Sequence, residues 1–191
     1  AALESGANVL IEKPVTLNPD HAWELVEIAK KLDRQVTCAF GWNFSPMLHQ
    51  AKDLMAKIGI GQIEAVSIVM ASQTRELLSN TGAYPDAAKD TTPEQATWTD
   101  PSLSGGGYAQ AQLTHAFGMS LWLLDQRVKG AFALMLNSMD APVELHDAIT
   151  LKYEDESIGT AFGASNHVGA ANNHHQLSIS AYGSEGQFRI D

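Results

Sequence analysis

An alternation of strand-like and helix-like segments near the start of the chain limits the fold more than any other feature. Residues 8–11 are an apolar run, and residues 18–32 carry apolar side chains at helical spacing behind an Asn18-Pro19 start. Residues 35–40 form a second strand-like run. A strand, a helix and a strand joined by short links are typical of a parallel βαβ layer. We therefore predict the tail of a doubly wound α/β domain.

The tripeptide Glu12-Lys13-Pro14 stands where the first predicted strand ends. In open α/β sheets, ligands bind outside the carboxyl ends of the strands, so a lysine at this place is positioned to act on a ligand. The proline stiffens the peptide and makes its cis form accessible. A surface turn with a solvated Glu-Lys pair is the alternative interpretation, and the tripeptide alone leaves both open.

Residues 43–191 follow a different pattern, which predicts an α+β domain. Ser45 caps a helix that starts at Pro46, residues 63–71 alternate as a long strand, and a second helix starts at Tyr108 behind three glycines. Tight polar turns separate the later strand-like runs, which indicates an open, mainly antiparallel sheet. These later runs are residues 128–138, 145–153, 158–164, 176–182 and 187–190.

The composition disfavours several classes of partner. The net charge of −10 and a pI near 5.0 argue against nucleic acid and against an anionic membrane surface, since both require a basic face. The single cysteine, Cys38, is predicted to be a small core residue and fits a reducing, cytoplasmic compartment. We also expect no membrane helix, which needs about 18 apolar residues, and no signal peptide.

His115 is the first candidate for chemistry in the second region. It lies in the middle of the helix behind the three glycines, and Gln112 shares its helix face. A lone helical histidine is commonly structural. A lysine and a histidine together can move protons to and from a substrate hydroxyl once burial tunes their pKa values, so Lys13 and His115 form a candidate catalytic pair.

Three other features permit more than one interpretation. Residues 73–104 are predicted to be a long polar loop, in which Tyr84 and Trp98 either hold the loop to the surface or contact a ligand. His146 and Asp147 are predicted to be a surface pair. The third feature is a group of histidines, which permits a metal-dependent hydrolase as an interpretation. The segment that contains them lacks carboxylates and matches no known metal-ligand spacing. The group consists of His167, His174 and His175.

Five stretches, taken together, resemble the Gfo/Idh/MocA oxidoreductases, the group that contains glucose-fructose oxidoreductase and inositol dehydrogenase. The first apolar run with Glu12-Lys13-Pro14 resembles the EKP signature of this family. Four further stretches agree in order and spacing, so the resemblance covers nearly the whole chain. They are residues 40–46, residues 59–63, the helix from Gly105 through His115 to Leu124, and residues 182–186.

The resemblance implies a Rossmann domain that binds NAD or NADP, followed by a domain that binds substrate and often forms the oligomer. Residues 1–42 would be the C-terminal piece of the first domain, and residues 43–191 the second, truncated at its C-terminus. The implied reaction is hydride transfer between nicotinamide and a carbon of a sugar, cyclitol or related alcohol. A homodimer or homotetramer is expected, and the main cofactor-binding motif is expected upstream of Ala1.

The resemblance also implies roles for single residues. Lys13 is the expected proton-transfer residue, and His115 is its expected partner. Contacts with the cofactor are expected from Glu12, Lys13, Pro14 and Trp42, and contacts with the substrate from Asn43, Gln112 and Tyr84.

The chain departs from the family pattern around the histidine. Ala111 and Gly118 stand where family members commonly carry aspartates, so the tautomer of His115 must be set by another group, such as Gln110 or Gln112. Asparagine also replaces a common arginine at position 43. The departure at position 43 leaves the substrate preference open. Ala111 and Gly118 favour an alternative of a different class, a non-catalytic ligand-binding or oligomerisation module with the same fold.

Overall fold

The computed structural model describes residues 1–83, 94–167 and 175–191. The chain divides into two compact units, Ala1–Gly41 and Trp42–Asp191. Within the described residues, no helix is both long and apolar enough to cross a membrane.

The first unit contains the predicted strand, helix and strand. They are β1 (Val9–Ile11), α1 (Pro19–Leu32) and β2 (Val36–Cys38), and the two strands pair in parallel. The Asn18 side chain caps α1, because its Oδ1 accepts a hydrogen bond from the Asp20 amide at 2.9 Å. These elements confirm the predicted βαβ layer.

Burial in the first unit is lower than the sequence indicated. Leu10 in β1 is 72% exposed and Trp23 in α1 is 67% exposed, although both belong to predicted buried surfaces. The reason is that the described sheet has only two strands, which cannot enclose an apolar layer. Cys38, predicted to lie in a core, is half-buried for the same reason.

The second unit begins with α2 (Pro46–Ile58), which Ser45 caps as predicted. A six-stranded sheet follows, in the order β4-β5-β6-β3-β7-β8. Among the described strand pairs of this sheet, only β3–β6 is parallel, so the prediction of a mainly antiparallel sheet is confirmed. Its strands are β3 (Ile63–Ser72), β4 (Val128–Leu136), β5 (His146–Tyr153), β6 (Ile158–Ser165), β7 (Gln176–Gly183) and β8 (Gly186–Ile190).

Two of the five stretches that resemble the family, residues 59–63 and 182–186, meet at the start of β3. The amides of Ser184 and Glu185 donate hydrogen bonds to the carbonyl oxygens of Gln62 and Ile60 at 2.9 and 3.0 Å. A Cβ at Gly183 would clash with the Ile60 carbonyl oxygen, so a glycine is required there. These stretches therefore fix the sheet, and they lie at the opposite end of β3 from the site described below.

The predicted polar loop at residues 73–104 is partly helical, which corrects the sequence analysis. Its described portion forms α3 (Arg75–Leu78), α4 (Gln95–Thr99) and α5 (Pro101–Ser104). Leu78 is fully buried, and Trp98 packs against the core of the second unit. The helices are too short to show a helical period in the sequence, and tertiary contacts stabilise them.

The core of the second unit lies between one face of the sheet and a helix. This helix comprises the turn Ala109–Leu113 and α6 (Thr114–Leu124). The other face of β4, β5 and β6 is open to solvent and carries large apolar side chains. The main buried residues are Tyr108, Leu113, Met119, Ile68, Met70, Leu145 and Ile179.

Candidate active site

Lys13 lies just after the carboxyl end of β1 and is half-buried. Burial lowers the pKa of its ammonium group, while the neighbouring Glu12 and Cys38 act in the opposite direction. The Lys13–Pro14 peptide is cis, the form that the sequence analysis considered accessible. A lysine with a lowered pKa exchanges a proton at neutral pH more readily than an exposed lysine.

The helix that carries His115 begins without a side-chain cap from the residue before it. Glu144, in the loop before β5, takes over this function. Its carboxylate accepts hydrogen bonds from the amides of Gly107 at 2.7 Å and Ala109 at 3.2 Å. Its carbonyl oxygen accepts a third, from the Tyr108 amide at 2.9 Å. Three successive amides at the helix start are therefore held by one residue from another element.

The close approach of Glu144 explains one of the three glycines. A Cβ on Gly107 would lie far inside van der Waals contact with the Glu144 carbonyl oxygen, and 2.8 Å from its amide nitrogen. The two preceding glycines have positive φ angles, +77° at Gly105 and +152° at Gly106, which L side chains rarely adopt. The glycines thus let the chain turn tightly into the helix.

The first turn of this helix, Ala109–Leu113, is a π-helix rather than an α-helix. His115 is the second residue of α6, directly after this wider turn. Single π turns inside helices are frequent at functional sites. The sequence predicted the helix but contained no sign of the π turn, because such turns depend on packing around the helix.

Trp42 stacks on His115. The two ring centroids lie 5.3 Å apart and the ring planes are 15° from parallel. Trp42 belongs to the 3-10 turn Gly41–Phe44, which is tied to α6 because Asn43 Nδ2 donates a hydrogen bond to the Gly118 carbonyl oxygen at 3.1 Å. The stack limits rotation of the imidazole and leaves the indole 38% exposed. The structure thus brings together two predicted site residues that are 73 positions apart in the chain.

His175 adds a third ring to this cluster. It lies directly before β7, and its ring stands edge-on to Trp42, with centroids 6.3 Å apart and an interplanar angle of 81°. The sequence pattern presents His175 only as a candidate metal ligand. Its position beside Trp42 follows from the pairing of β7 with β3, which no local pattern announces.

The prediction that His146 and Asp147 form a surface pair is wrong for Asp147, which is only 1% exposed. Burial, with a smaller contribution from the charge of Glu144, raises its pKa from 3.8 to about 7. Neither carboxylate oxygen has a hydrogen-bond partner in the part of the chain that the structure describes. The sequence did contain a signal: Asp147 lies two and four residues before Ile149 and Leu151, on the same side of the strand.

Asp147 lies close to the start of the helix that carries His115. A Cβ on Gly163 would be 2.9 Å from Asp147 Oδ2 and 2.8 Å from the ring of Tyr108, so both side chains border this glycine. Tyr108 is fully buried, and its hydroxyl accepts a hydrogen bond from Ser72 Oγ at 3.1 Å. Buried polar groups therefore surround the π turn on its sheet side.

The remaining predicted residues are placed as follows. Gln112 is half-buried in the π turn, Glu12 is exposed and Pro14 is half-buried. Tyr84 lies outside the described residues. The predicted roles of all four remain predictions.

The two described histidines of the group considered for a metal have different contacts. His167 is paired with Glu76, with Nδ1 2.9 Å from Oε1, and His175 is in contact with Trp42. His174 lies outside the described residues. In the described ranges, no three His, Cys, Asp or Glu side chains are grouped so that they could hold a metal ion.

Two family models match the chain in succession. The model described as the GFO/IDH/MocA C-terminal domain matches residues 48–189, which is most of the chain. This chain belongs to the GFO/IDH/MocA family. The model described as oxidoreductase family, NAD-binding Rossmann fold, matches residues 1–40. The family resemblance of the motifs is therefore confirmed.

Individual relatives agree with this assignment. The uncharacterized oxidoreductase YfiI of Bacillus subtilis (strain 168) is 24% identical over 91% of this chain and 43% of its own length. An inositol dehydrogenase homolog from Azotobacter vinelandii, solved with NAD+, is 25% identical with a TM-score of 0.76, over 98% of this chain and 46% of that chain. GenD2 from gentamicin A biosynthesis, solved with NAD, is 21% identical with a TM-score of 0.76, over 100% of this chain and 49% of that chain.

These comparisons also set the extent of the match. The GFO/IDH/MocA chain described above spans about half the length of the relatives that it matches. The structural likeness to GenD2 supports the fold alone, since the identity is low.

Proposed function

We propose that this GFO/IDH/MocA protein, in its full-length form, is an NAD(P)-dependent oxidoreductase that transfers a hydride between nicotinamide and a sugar, cyclitol or related alcohol. The observation that carries the proposal is the half-buried Lys13, which has a lowered pKa and follows β1 within the segment that matches the NAD-binding family model. The inositol dehydrogenase homolog solved with NAD+ supports both the cofactor class and the substrate class.

Two side chains would move protons in this reaction. Oxidation of an alcohol releases the hydroxyl proton as the hydride leaves the same carbon, and the neutral amine of Lys13 would accept this proton. Burial favours that neutral form, because it lowers the pKa of the lysine. His115 would be the second proton carrier, with Trp42 limiting the rotation of its ring. Asn43, Gln112 and Tyr84 are proposed to contact the substrate.

Two side chains, each within its own unit, support contacts with a dinucleotide cofactor. The exposed indole of Trp42 offers a flat apolar surface, and Lys13 supplies a cationic or hydrogen-bonding group after β1. We propose that these two residues, with Glu12 and Pro14, contact the nicotinamide end. No G-x-G-x-x-G phosphate-binding motif occurs in the 191 residues. When bound, the cofactor would supply the hydride acceptor.

A hydride-transfer assay of the full-length protein tests this proposal. Myo-inositol, D-glucose and a panel of other sugars and polyols would each be combined with NAD or NADP, and formation of the reduced nicotinamide would be followed by absorbance. Turnover with at least one polyol supports the proposal and also selects between NAD and NADP. A folded full-length protein without turnover on any substrate of the panel would contradict it.

One observation favours a non-catalytic binding module as a second candidate. Ala111 and Gly118 supply no carboxylate to His115, and the Gly118 carbonyl already accepts the Asn43 amide. A module of this kind would bind a polyol without oxidising it. Calorimetric titration of the full-length protein with myo-inositol, in parallel with the turnover assay, separates the two candidates.

The open sheet face supports a homo-oligomer, either a dimer or a tetramer. Phe132 and Leu134 in β4 are 67% and 65% exposed, and they share this face with Phe162 in β6. A contiguous apolar surface of this kind is a liability in a monomer and is typical of protein interfaces. We also propose a cytoplasmic location, which the single cysteine supports, and the domain division at residues 1–42 and 43–191.

A further inference from the structure

We propose that Glu144 is a positioning residue for His115. The inference rests on the proposed function of His115 and adds to it a residue that no sequence motif indicated. Glu144 is 29 positions beyond His115 in the chain and lies in the loop before β5.

The contacts of Glu144 replace the usual start of a helix. The first amides of a helix have no partner within it, and a side chain of the N-cap residue normally accepts one of them. Here Glu144 accepts three, from Gly107, Tyr108 and Ala109, at distances between 2.7 and 3.2 Å. Two of these bonds go to a carboxylate, which is a stronger acceptor than a neutral oxygen.

These contacts connect the helix to the sheet at one place. Glu144 is two residues before β5, and its own backbone takes part through the bond from the Tyr108 amide. The fit leaves no space for a Cβ on Gly107, so the helix start has little freedom to slide along the sheet. Position and direction of the first turn are therefore set by Glu144.

His115 lies six residues beyond Ala109, fewer than two helical turns away. A change at the helix start would move the imidazole as part of a rigid element, relative to both Trp42 and the sheet. Displacement of a reacting group by 1 Å can reduce a rate by about 10²-fold. Loss of the Glu144 contacts should therefore affect turnover more than substrate binding.

The variants Glu144→Ala and Glu144→Gln separate the contributions of this residue. Alanine removes both carboxylate acceptors, whereas glutamine keeps one acceptor oxygen without the charge. The matched control is Asp155→Ala in the turn between β5 and β6. Asp155 also holds a backbone amide, that of Ser157 at 3.0 Å, but at the other end of β5.

In the full-length protein with NAD and the polyol that it oxidises, we expect Glu144→Ala to lower kcat about tenfold or more, with KM within about threefold of wild type. Glu144→Gln should recover part of this loss. Asp155→Ala should keep wild-type kcat even if its melting temperature falls as far as that of Glu144→Ala. Wild-type kcat in Glu144→Ala, or equal losses in Glu144→Ala and Asp155→Ala at equal melting temperature, would overturn the proposal.

A second readout does not depend on turnover. A protonated imidazole quenches a stacked indole, so the fluorescence of Trp42 should change with pH through His115. The Trp42 signal is obtained as the difference between each protein and its Trp42→Phe counterpart, all in a His175→Gln background, because the His175 ring also contacts Trp42. We expect Glu144→Ala to lose at least half of this pH-dependent amplitude, and Asp155→Ala to keep it.

The fluorescence readout distinguishes a failure of the proposed function from a failure of the role proposed for Glu144. If wild-type protein oxidises no polyol, the proposed function fails, and the Trp42 amplitude alone then decides the role of Glu144. An unchanged amplitude in Glu144→Ala would overturn that role. Should the alanine variant fail to fold, as judged by circular dichroism, the same comparison with Glu144→Gln decides: a reduced amplitude supports the role, and a wild-type amplitude contradicts it.

Discussion

At the scale of single residues, Lys13 carries most of the proposed proton chemistry. Replacing it with methionine keeps most of its volume and removes the amine, so we expect kcat to fall by about 10²–10⁴-fold. The melting temperature should not fall, because the variant no longer buries an ammonium group. Steady-state kinetics and thermal denaturation of the full-length protein measure both quantities.

The control for this substitution is Lys30→Met, on the exposed surface of α1. It should leave kcat unchanged. Wild-type turnover in Lys13→Met would remove Lys13 from the mechanism.

Asp147 makes the stability of the fold depend on pH. Its pKa is raised from 3.8 to about 7 in the folded state, so the folded state binds this proton more tightly than the unfolded state. Stability should therefore decrease as the pH rises from about 4 to about 7, by up to about 4 kcal/mol, and then level off. Asp147→Asn cannot ionise, so its advantage over wild type should be larger at pH 8 than at pH 5.

Urea denaturation at the two pH values measures this difference. The exposed Asp53→Asn in α2 serves as the control and should show no pH-dependent advantage. Comparing each variant with wild type at the same pH removes the contribution of His146, whose pKa is lowered by burial and by Arg75. An equal effect of Asp147→Asn at both pH values would contradict the buried ionisation.

Residue by residue, the site was only partly predictable. The place of Lys13 after a strand and of His115 behind three glycines made them candidates, and the family resemblance added Trp42; their roles remain predictions. The contacts of Glu144 and the place of His175 beside Trp42 were not predicted, since they depend on which elements the fold brings together. Period-two alternation in β5 would have located Asp147 in the core.

At the scale of elements, Gly107 connects the helix start to the loop before β5. Gly107→Ala would place a methyl group against the Glu144 backbone, and overpacking of this kind costs about 1–3 kcal/mol. The expected result is a lower free energy of unfolding in denaturant titration. Gly130→Ala in β4 is the matched control, because no atom lies within 4 Å of its added Cβ, and it should be neutral or slightly stabilising.

Elements with local signals were predicted well. Asn18 and Ser45 mark helix starts by their side chains, and the turn at Gly183–Gly186 marks a hairpin. The short helices α3 and α4 lie in a segment that the sequence predicts to be a loop, since their stability comes from contacts such as the hydrogen bond from the Gln95 side chain to the Leu77 carbonyl oxygen. Local sequence cannot encode a partner that lies in another element.

At the scale of the whole molecule, the open face of β4, β5 and β6 predicts self-association. Phe132→Glu places a charge within this apolar surface, so the full-length protein should sediment as a smaller species than wild type. Ile58→Glu, at the equally exposed end of α2, is the control and should leave the assembly unchanged. If Phe132→Glu sediments like wild type, this face does not form the interface.

The central position of β3 has a consequence for synthesis of the protein. Ile68 in β3 pairs with Ala161 on one side and Ile179 on the other, both roughly a hundred residues later in the chain. A ribosome that adds about 5–20 residues per second delivers these partners roughly 5–20 seconds after β3. During that interval both edges of an apolar strand can pair with other chains, so a chaperone that covers strand edges should raise the yield of soluble protein.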